Sequence, residues 1–520
     1  MPDRIAVIAD DRRVTFRELD RRANQLAHHL AAAGIGRDAH VGFQMHNGVE
    51  TMETLLACFK LRAVPININY RYGPEELRYV YDNADLTALV HHRCYAAAVD
   101  AVRPLVPGLR HTLVVEDDQG GAGLPSGSQP YESAFENASP ERDFEPRSGD
   151  DRFMMYTGGT TGLPKGVIWR QEDMWRVLGG GIDFYTGVPV EDEYQQSRNG
   201  SGNDPWLWFV LPPLIHAAAM MPTFAALWAG SGVVFEPRFA PRRVWQVVSE
   251  VRPQVMVITG DAMARPLIDA LRAEPVDTSS LLSVGSGAAL LSQPVKNAML
   301  ELLPQAMLTD SIGSSETGFG GIGFAQKDDD PGRGPRVNIG RGALVVDDEG
   351  RPVEPGEEGW VAKTGNVPIG YYKDPARSAT LFRTVDGARM VVTDDRARVE
   401  PDGAITLLGR GNMVINTGGE KVFTEEVEAV VKAHPAVYDA VVIGVPHDRW
   451  GEQVAAVVAL AGAESLDYAD LARHVRGHLA GYKLPRRVWV VDVVGRTPSG
   501  KPDYRWAKDH AAGRAPDHEG

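Results

Sequence analysis

The segment richest in chemistry is residues 156–166, which read Tyr156, Thr157, Gly158, Gly159, Thr160, Thr161, Gly162, Leu163, Pro164, Lys165 and Gly166. Glycines let a backbone approach a polyphosphate closely, the hydroxyls of Thr157, Thr160 and Thr161 can donate to its oxygens, and Lys165 supplies positive charge. The combination reads as a phosphate-cradling loop. It is not the P-loop of the common NTPases, which needs Gly-Lys followed by Ser or Thr, whereas Lys165 follows Pro164 and precedes Gly166. A plain surface turn explains the glycines but not the three threonines and the Pro-Lys-Gly ending. Two other patterns carry less. Residues 318–323 fit a dinucleotide glycine spacing, yet no strand precedes them in the required way. The pairs His28, His29 and His91, His92 cannot chelate together, because neighbouring side chains point apart on a helix or strand, and no cysteine or carboxylate cluster joins them. They are expected at the surface.

Further segments follow in order: Gly285, Ser286, Gly287, Ala288, Ala289; Asp310, Ser311, Ile312, Gly313, Ser314, Ser315, Glu316, Thr317, Gly318; Thr393, Asp394, Asp395; Leu408, Gly409, Arg410; Gly418, Gly419, Glu420, Lys421; and Arg496 to Pro502 with Lys501 inside it. With residues 156–166 this ordered set resembles the adenylate-forming superfamily that holds acyl-CoA synthetases, peptide-synthetase adenylation domains and beetle luciferases. The resemblance runs over nearly the whole chain. It implies that Gly287, Ala288 and Ala289 border the adenine and the acyl group, that Ser315 touches phosphate, and that Glu316, with Thr157, holds magnesium. One carboxylate suffices for Mg²⁺, which keeps most of its waters and uses substrate phosphates. By the same resemblance Asp395 and Arg410 meet the ribose hydroxyls, Gly418 and Gly419 line the thiol tunnel, and Lys501 is the catalytic lysine of a C-terminal loop. The pattern departs from the family at Ile312, where an aromatic commonly stacks on adenine, at Ser315 in place of Thr, at Asp394 in place of Gly, and at Asn412 in the hinge position.

The implied reaction joins a carboxylic acid to AMP with release of pyrophosphate, then passes the acyl group to coenzyme A; ATP, Mg²⁺ and coenzyme A are the implied cofactors. A carboxylate is already ionised near neutral pH and needs no general base. What it needs is relief from the anionic phosphate it attacks, so Lys501, Lys165 and Mg²⁺ on Glu316 are expected to act by position and charge. His216, in an apolar stretch with Ala217, Ala218 and Ala219, matches the position beside the acyl carboxylate in CoA ligases, together with Gly287 and Gly313. A single histidine in such a run is as readily a core residue. Gly179, Gly180 and Gly181 upstream leave room for a bulky apolar tail, and no acidic anchor for an α-amino group lies near His216. Residues 165–173 are particularly similar to actinobacterial fatty-acyl and steroid-acid CoA ligases, which implies a fatty or steroid-side-chain acid. The alternatives are transfer to a carrier-protein thiol or an amine, and a catalytically silent nucleotide-binding protein.

These residues need a scaffold. The chain has 520 residues, beyond what one hydrophobic core usually serves. Short apolar runs alternating with amphipathic stretches, such as residues 17–33 with Leu19, Ala23, Leu26 and Leu30, predict an α/β body with a parallel sheet covered on both faces. Buried strands are expected at 41–43, 208–211, 232–235, 255–258 and 281–284, and polar loops at 120–129, 191–204 and 326–336. After Val337 short strands with Gly turns predict a small β-rich subdomain. A helix at 425–433 and strands at 440–445 and 488–494 follow. The expected layout is a large N-terminal domain at 1–409, a hinge at 410–412 and a small mobile α+β domain at 413–520. A net charge of −15, from 69 acidic against 54 basic side chains, disfavours nucleic acid and anionic surfaces. Two cysteines, Cys58 and Cys94, build no disulfide framework and are expected as buried thiols. No basic leader or long apolar run is seen, so the expected place is the cytoplasm, with small molecules as partners, no transmembrane segment, and an assembly compatible with a homodimer.

Overall fold

The computed structural model describes the chain apart from residues 118–122, 158–162, 184–185, 290, 328–334, 411–412, 418–419, 448–450, 463–464 and 498–499. It is a mixed α/β protein, as the strand and helix alternation predicts. The chain divides into two compact units: Met1–Val257 with Gly313–Phe319 and Thr364–Val391, and Ile258–Ile312 with Gly320–Lys363 and Val392–Gly520.

In the first unit one sheet runs in the order Gly370–Tyr371, Lys165–Arg170, Arg152–Thr157, Val64–Asn67, His40–Gln44, Leu86–His92, His111–Val115, Gln129–Pro130. Its interior pairs are parallel, while the hairpin of Arg152–Thr157 with Lys165–Arg170 and the added Gly370–Tyr371 are antiparallel. A strand buried on both faces has no polar side to show. Hence Phe153, Met154, Met155 and Tyr156 are all buried. A second sheet pairs Arg12–Thr15, Ile5–Ala9, Gly232–Phe235, Leu207–Val210 and Val255–Ile258, parallel except at its Arg12–Thr15 edge. Helix Phe16–Ala32 starts where Thr15 Oγ1 accepts from Glu18 N–H at 3.2 Å, and it buries Leu19, Ala23, Leu26 and Leu30, the residues that its periodicity marked.

In the second unit Ser283–Ser286 lies parallel to Met307–Ser314, and the antiparallel strands Arg336–Ile339, Ala343–Val346, Glu358–Thr364, Ala388–Val399 and Ile405–Arg410 form the expected β-rich region. The last part has Val437–His447 against Gly451–Leu460, with Arg487–Val491 parallel to the latter. Helix Thr424–Lys432 covers this sheet with Val427, Val430 and Val431 buried.

Several expectations need correction. Residues 191–204 are not simply a loop: Gln195–Ser201 is helical, and Arg4 donates to the carbonyls of Gly200, Ser201 and Asn203 at 2.7, 3.1 and 2.8 Å, satisfying its C-terminal end. His91 and His92 are not surface residues. They end the buried strand Leu86–His92, where burial pushes the His91 pKa down to about 4. The strand expected at 281–284 begins at Ser283, since Leu282 is exposed, and the one expected at 488–494 ends at Val491 because Val493 turns out to solvent. Cys58 is buried but Cys94 only partly so. Residues 318–323 form part of a β-strand, Gly318–Phe324, antiparallel to Arg336–Ile339, which agrees with rejecting a dinucleotide loop. Among the described residues no helix is long and apolar enough to cross a membrane.

Candidate active site

Thr157 closes strand Arg152–Thr157 and Lys165 opens strand Lys165–Arg170, and the two are register partners. Thr157 therefore stands at the carboxyl end of a strand that pairs in parallel with Val64–Asn67, where open α/β sheets usually bind ligands. Gly158, Gly159, Thr160 and Thr161 lie outside the described residues. Lys165 Nζ stands 3.1 Å from Asp374 Oδ2 and 5.4 Å from the centroid of the Tyr371 ring. Both partners of that ion pair keep about a third of their side-chain surface in water, 37% and 33%, so solvent screens it and it is worth about 1 kcal/mol at most. Asp374 also accepts from Arg377 N–H at 3.0 Å as the cap of helix Pro375–Leu381. That backbone bond, and after it Lys165, hold its carboxyl below the usual range.

Ser315 and Glu316 sit on a tight turn. Ser314 N–H donates to Thr317 Oγ1 at 3.0 Å and Glu316 N–H to Ser314 Oγ at 3.1 Å. Gly318 has φ +62°, and a Cβ there would lie 2.7 Å from Val177 Cγ2. A Cβ on Gly313 would lie 2.2 Å from the Gly318 carbonyl oxygen, so the turn closes only with glycine at both places. Two aromatic donors fix the turn to the hairpin's surroundings. Trp169 Nε1 donates to the Ser315 carbonyl at 2.8 Å, and Tyr371 Oη donates to Glu316 Oε1 at 3.0 Å. Lys165, Ser315, Glu316, Tyr371 and Asp374 are thereby gathered within the first unit.

His216 caps helix Ala217–Trp228 and is half-buried. Two buried asparagines hold the stretch before it. Asn47 Nδ2 donates to the Pro212 carbonyl at 2.9 Å and its Oδ1 accepts from Leu214 N–H at 2.7 Å. Asn67 Nδ2 donates to the carbonyls of Ile215 and Tyr156 at 2.6 and 2.9 Å, and its Oδ1 accepts from Tyr156 N–H at 2.7 Å.

In the second unit residues 285–289 form a strained turn. Ala288 has φ +64°, and Ala289 N–H donates to the Gly287 carbonyl at 2.8 Å. Ser286 Oγ accepts from Gly260 N–H at 2.9 Å and donates to the Ala289 carbonyl at 2.8 Å. A Cβ on Gly500 would lie 3.4 Å from Thr259 Cγ2 and 3.7 Å from Ala262 Cβ. Residues 259–262 thus touch both the 285–289 turn and the loop of Lys501. That loop closes on itself: Thr497 N–H donates to the Lys501 carbonyl at 2.8 Å, and Lys501 N–H to Thr497 Oγ1 at 3.2 Å. In the 259–262 segment Asp261, with 3% of its side chain exposed, accepts from Ser292 N–H at 2.8 Å and faces Arg265 at 3.3 Å and Lys432 at 3.9 Å. Burial pulls its carboxyl upward, but Lys432, Arg265 and Ser292 outweigh that, and it lies below the usual range. Asp395 pairs across the sheet with Arg410, and it is half-buried where Asp394 is exposed. The Arg410 side chain, Asn412, Gly418 and Gly419 lie outside the description.

Sequence reasoning had not singled out Tyr371, Asp374, Asn47, Asn67 or Asp261. Asp374 before Pro375 is a helix-start signature and was legible. Asn67 among Val64, Pro65, Ile66 and Ile68 was a polar residue in a buried run, which demands partners. Asp261 carried no such local signal.

Comparison with known proteins agrees with this architecture. Residues 1–372 match the AMP-binding enzyme family and residues 426–501 the AMP-binding enzyme C-terminal domain. The chain is 49% identical to a 3-oxocholest-4-en-26-oate–CoA ligase of Rhodococcus rhodochrous, over 99% of this chain and 95% of that one. It is 47% identical to a medium/long-chain-fatty-acid–CoA/3-oxocholest-4-en-26-oate–CoA ligase of Mycolicibacterium smegmatis, over 98% and 94% of the two chains. Its fold is similar to that of an anthranilate CoA ligase in complex with anthranoyl-AMP, with a TM-score of 0.84 at 23% identity over 99% and 96% of the chains. By its sequence over nearly its full length, this chain belongs to the AMP-binding enzyme family.

Proposed function

We propose that this chain is an ATP-dependent carboxylic acid–CoA ligase. The carboxylate oxygen attacks the α-phosphorus of ATP, the bond to the β-phosphate oxygen breaks, and pyrophosphate leaves; the thiolate of coenzyme A then attacks the acyl carbon and AMP leaves. The observation that carries the reading is the gathering of Lys165 and Glu316 around Tyr371 and Asp374. Relatives 47–49% identical that are named CoA ligases support it.

Lys165 and Lys501 carry the positive charge that the anionic reacting centre requires, while Ser315 contacts phosphate together with Thr157, Gly158, Gly159, Thr160 and Thr161. Gly287, Ala288 and Ala289 border the adenine, and Asp395 with Arg410 takes the ribose. Glu316 and Thr157 would hold Mg²⁺: the oxygen donors suit a hard cation, and Tyr371 occupies only one Glu316 oxygen. When bound, the ion neutralises phosphate charge. His216, Gly287 and Gly313 face the acid, Gly418 and Gly419 line the thiol path, and the chain works as a 1–409 body, a 410–412 hinge and a mobile 413–520 domain. Its acid is a fatty acid or a steroid side-chain acid, the classes in the names of the relatives.

Acid-dependent exchange of labelled pyrophosphate into ATP over fatty, aryl and steroid acids tests the first half-reaction, and release of AMP on adding coenzyme A tests the second. Exchange with a long apolar acid and thioester formation are expected. No exchange with any acid would refute the reading.

A further inference from the structure

Asn67 is the one side chain, among those described, seen to bond both the strand that leads into the phosphate loop and the loop that ends in His216. It is 4% exposed, and all of its amide groups are used: two donors on the carbonyls of Tyr156 and Ile215, one acceptor on Tyr156 N–H. Two carbonyls and one N–H leave a single amide orientation that satisfies everything, so the contact is specific in direction as well as place. Tyr156 immediately precedes Thr157, and Ile215 immediately precedes His216. The strand Val64–Asn67 delivers the amide from the middle of the sheet, where Ile66 pairs with Met154 and Asn67 with Phe43. Asn47 is the natural comparison. It is equally buried and holds the same histidine loop at Pro212 and Leu214, but these bonds do not reach the phosphate-loop strand.

We infer that Asn67 is a positioning residue that sets the nucleotide side and the acid side of the site in one fixed register. This rests on the ligase reading, in which residues 157–165 hold ATP and His216 borders the acid. Removing the amide strands two buried carbonyls and one N–H, and both ends of the site shift at once. Removing Asn47 disturbs the acid side alone.

The test is pyrophosphate exchange with the KM of ATP and of the acid measured separately for the wild type, Asn67→Ala, Asn67→Asp and Asn47→Ala, alongside thermal melts. Asn67→Ala is expected to raise both KM values by about tenfold. Asn47→Ala should raise the acid KM alike while leaving the ATP KM within about twofold. Asn67→Asp keeps the shape and the acceptor for Tyr156 N–H but cannot donate to both carbonyls, and it should follow Asn67→Ala. A merely structural role would lower the melting temperature without this division of the KM values. If Asn67→Ala moves one KM only, or if Asn47→Ala moves both, the inference is wrong while the ligase reading stands. If neither Asn67 variant accumulates as folded protein, the residue serves folding and the inference is overturned. Absence of exchange in the wild type would instead remove the reading beneath it.

Discussion

The two groups of charges assigned to the reaction are held in opposite ways. In the first unit Lys165 and Glu316 stand beside paired strands and a glycine-closed turn, and their partners Asp374 and Tyr371 come from one short segment. Lys165 and Asp374 keep contact with solvent. In the second unit Lys501 rides on a loop closed by its own Thr497, and two carboxyl groups of the same unit, Asp261 and Glu428, are sealed from water. Strand pairing fixes a group with respect to a sheet. A self-closed loop carries part of its geometry within itself, through the two bonds between Thr497 and Lys501. The contrast sets a hairpin wall built on strand pairing beside a C-terminal loop built on bonds within itself.

The hardest test of that contrast is Lys501→Ala. Acid-dependent pyrophosphate exchange should fall by a factor of about 10²–10³, the usual cost of one preorganised charge contact, while transfer from preformed acyl-adenylate to coenzyme A continues. Equal loss of both half-reactions would overturn the proposal that Lys501 serves the first half-reaction alone.

Next comes the sealed carboxyl of Glu428, whose Oε1 accepts from Val442 N–H at 2.9 Å. Desolvation raises its pKa from 4.5 to about 7. The folded state therefore holds this proton after the unfolded chain has released it. Stability falls as pH rises through that window, by about 3 kcal/mol, and levels off above it. Glu428→Gln keeps the acceptor and removes the titration. It should melt higher than the wild type at pH 8, with the difference vanishing toward pH 4. Parallel melting curves for the two proteins across that range would show that the tail does not bury a neutral acid.

A smaller effect is expected at Tyr371→Phe, which deletes one hydrogen bond to Glu316. Adenylation should fall about five- to tenfold, and the Mg²⁺ concentration at half-maximal rate should rise. An unchanged Mg²⁺ requirement would detach Tyr371 from Glu316's proposed role. The smallest belongs to Asp374→Asn. The pair with Lys165 is screened, so the KM of ATP should change by less than about threefold, and melting should hardly move. A large change would mean that the hairpin wall also depends on a strong ion pair and is not unlike the tail.

The ordered motifs were readable because each meets a local demand. Thr157 and Lys165 bracket a glycine-rich hairpin, Gly313 and Gly318 permit a turn that a Cβ would block, and Gly500 takes a left-handed φ of +79° before Lys501. Amphipathic spacing likewise announced Phe16–Ala32, and continuous apolar runs announced the strands His40–Gln44, Leu207–Val210, Gly232–Phe235 and Val255–Ile258. The errors came where burial is decided at a distance. His91 and His92 read as surface residues until the parallel pairing of Leu86–His92 with His40–Gln44 and His111–Val115 enclosed them, and residues 195–201 read as loop until Arg4 satisfied their last carbonyls. The same reason hid the partners of Asn67, Tyr371 and Asp261. A hydrogen bond or ion pair between residues far apart along the chain depends on strand register and side-chain direction, and neither exists until the sheets have formed. The primary structure carried the inventory of reactive groups and their order; which of them share a wall, and which polar side chain locks that wall, came from packing, because only packing removes water and leaves each donor one partner.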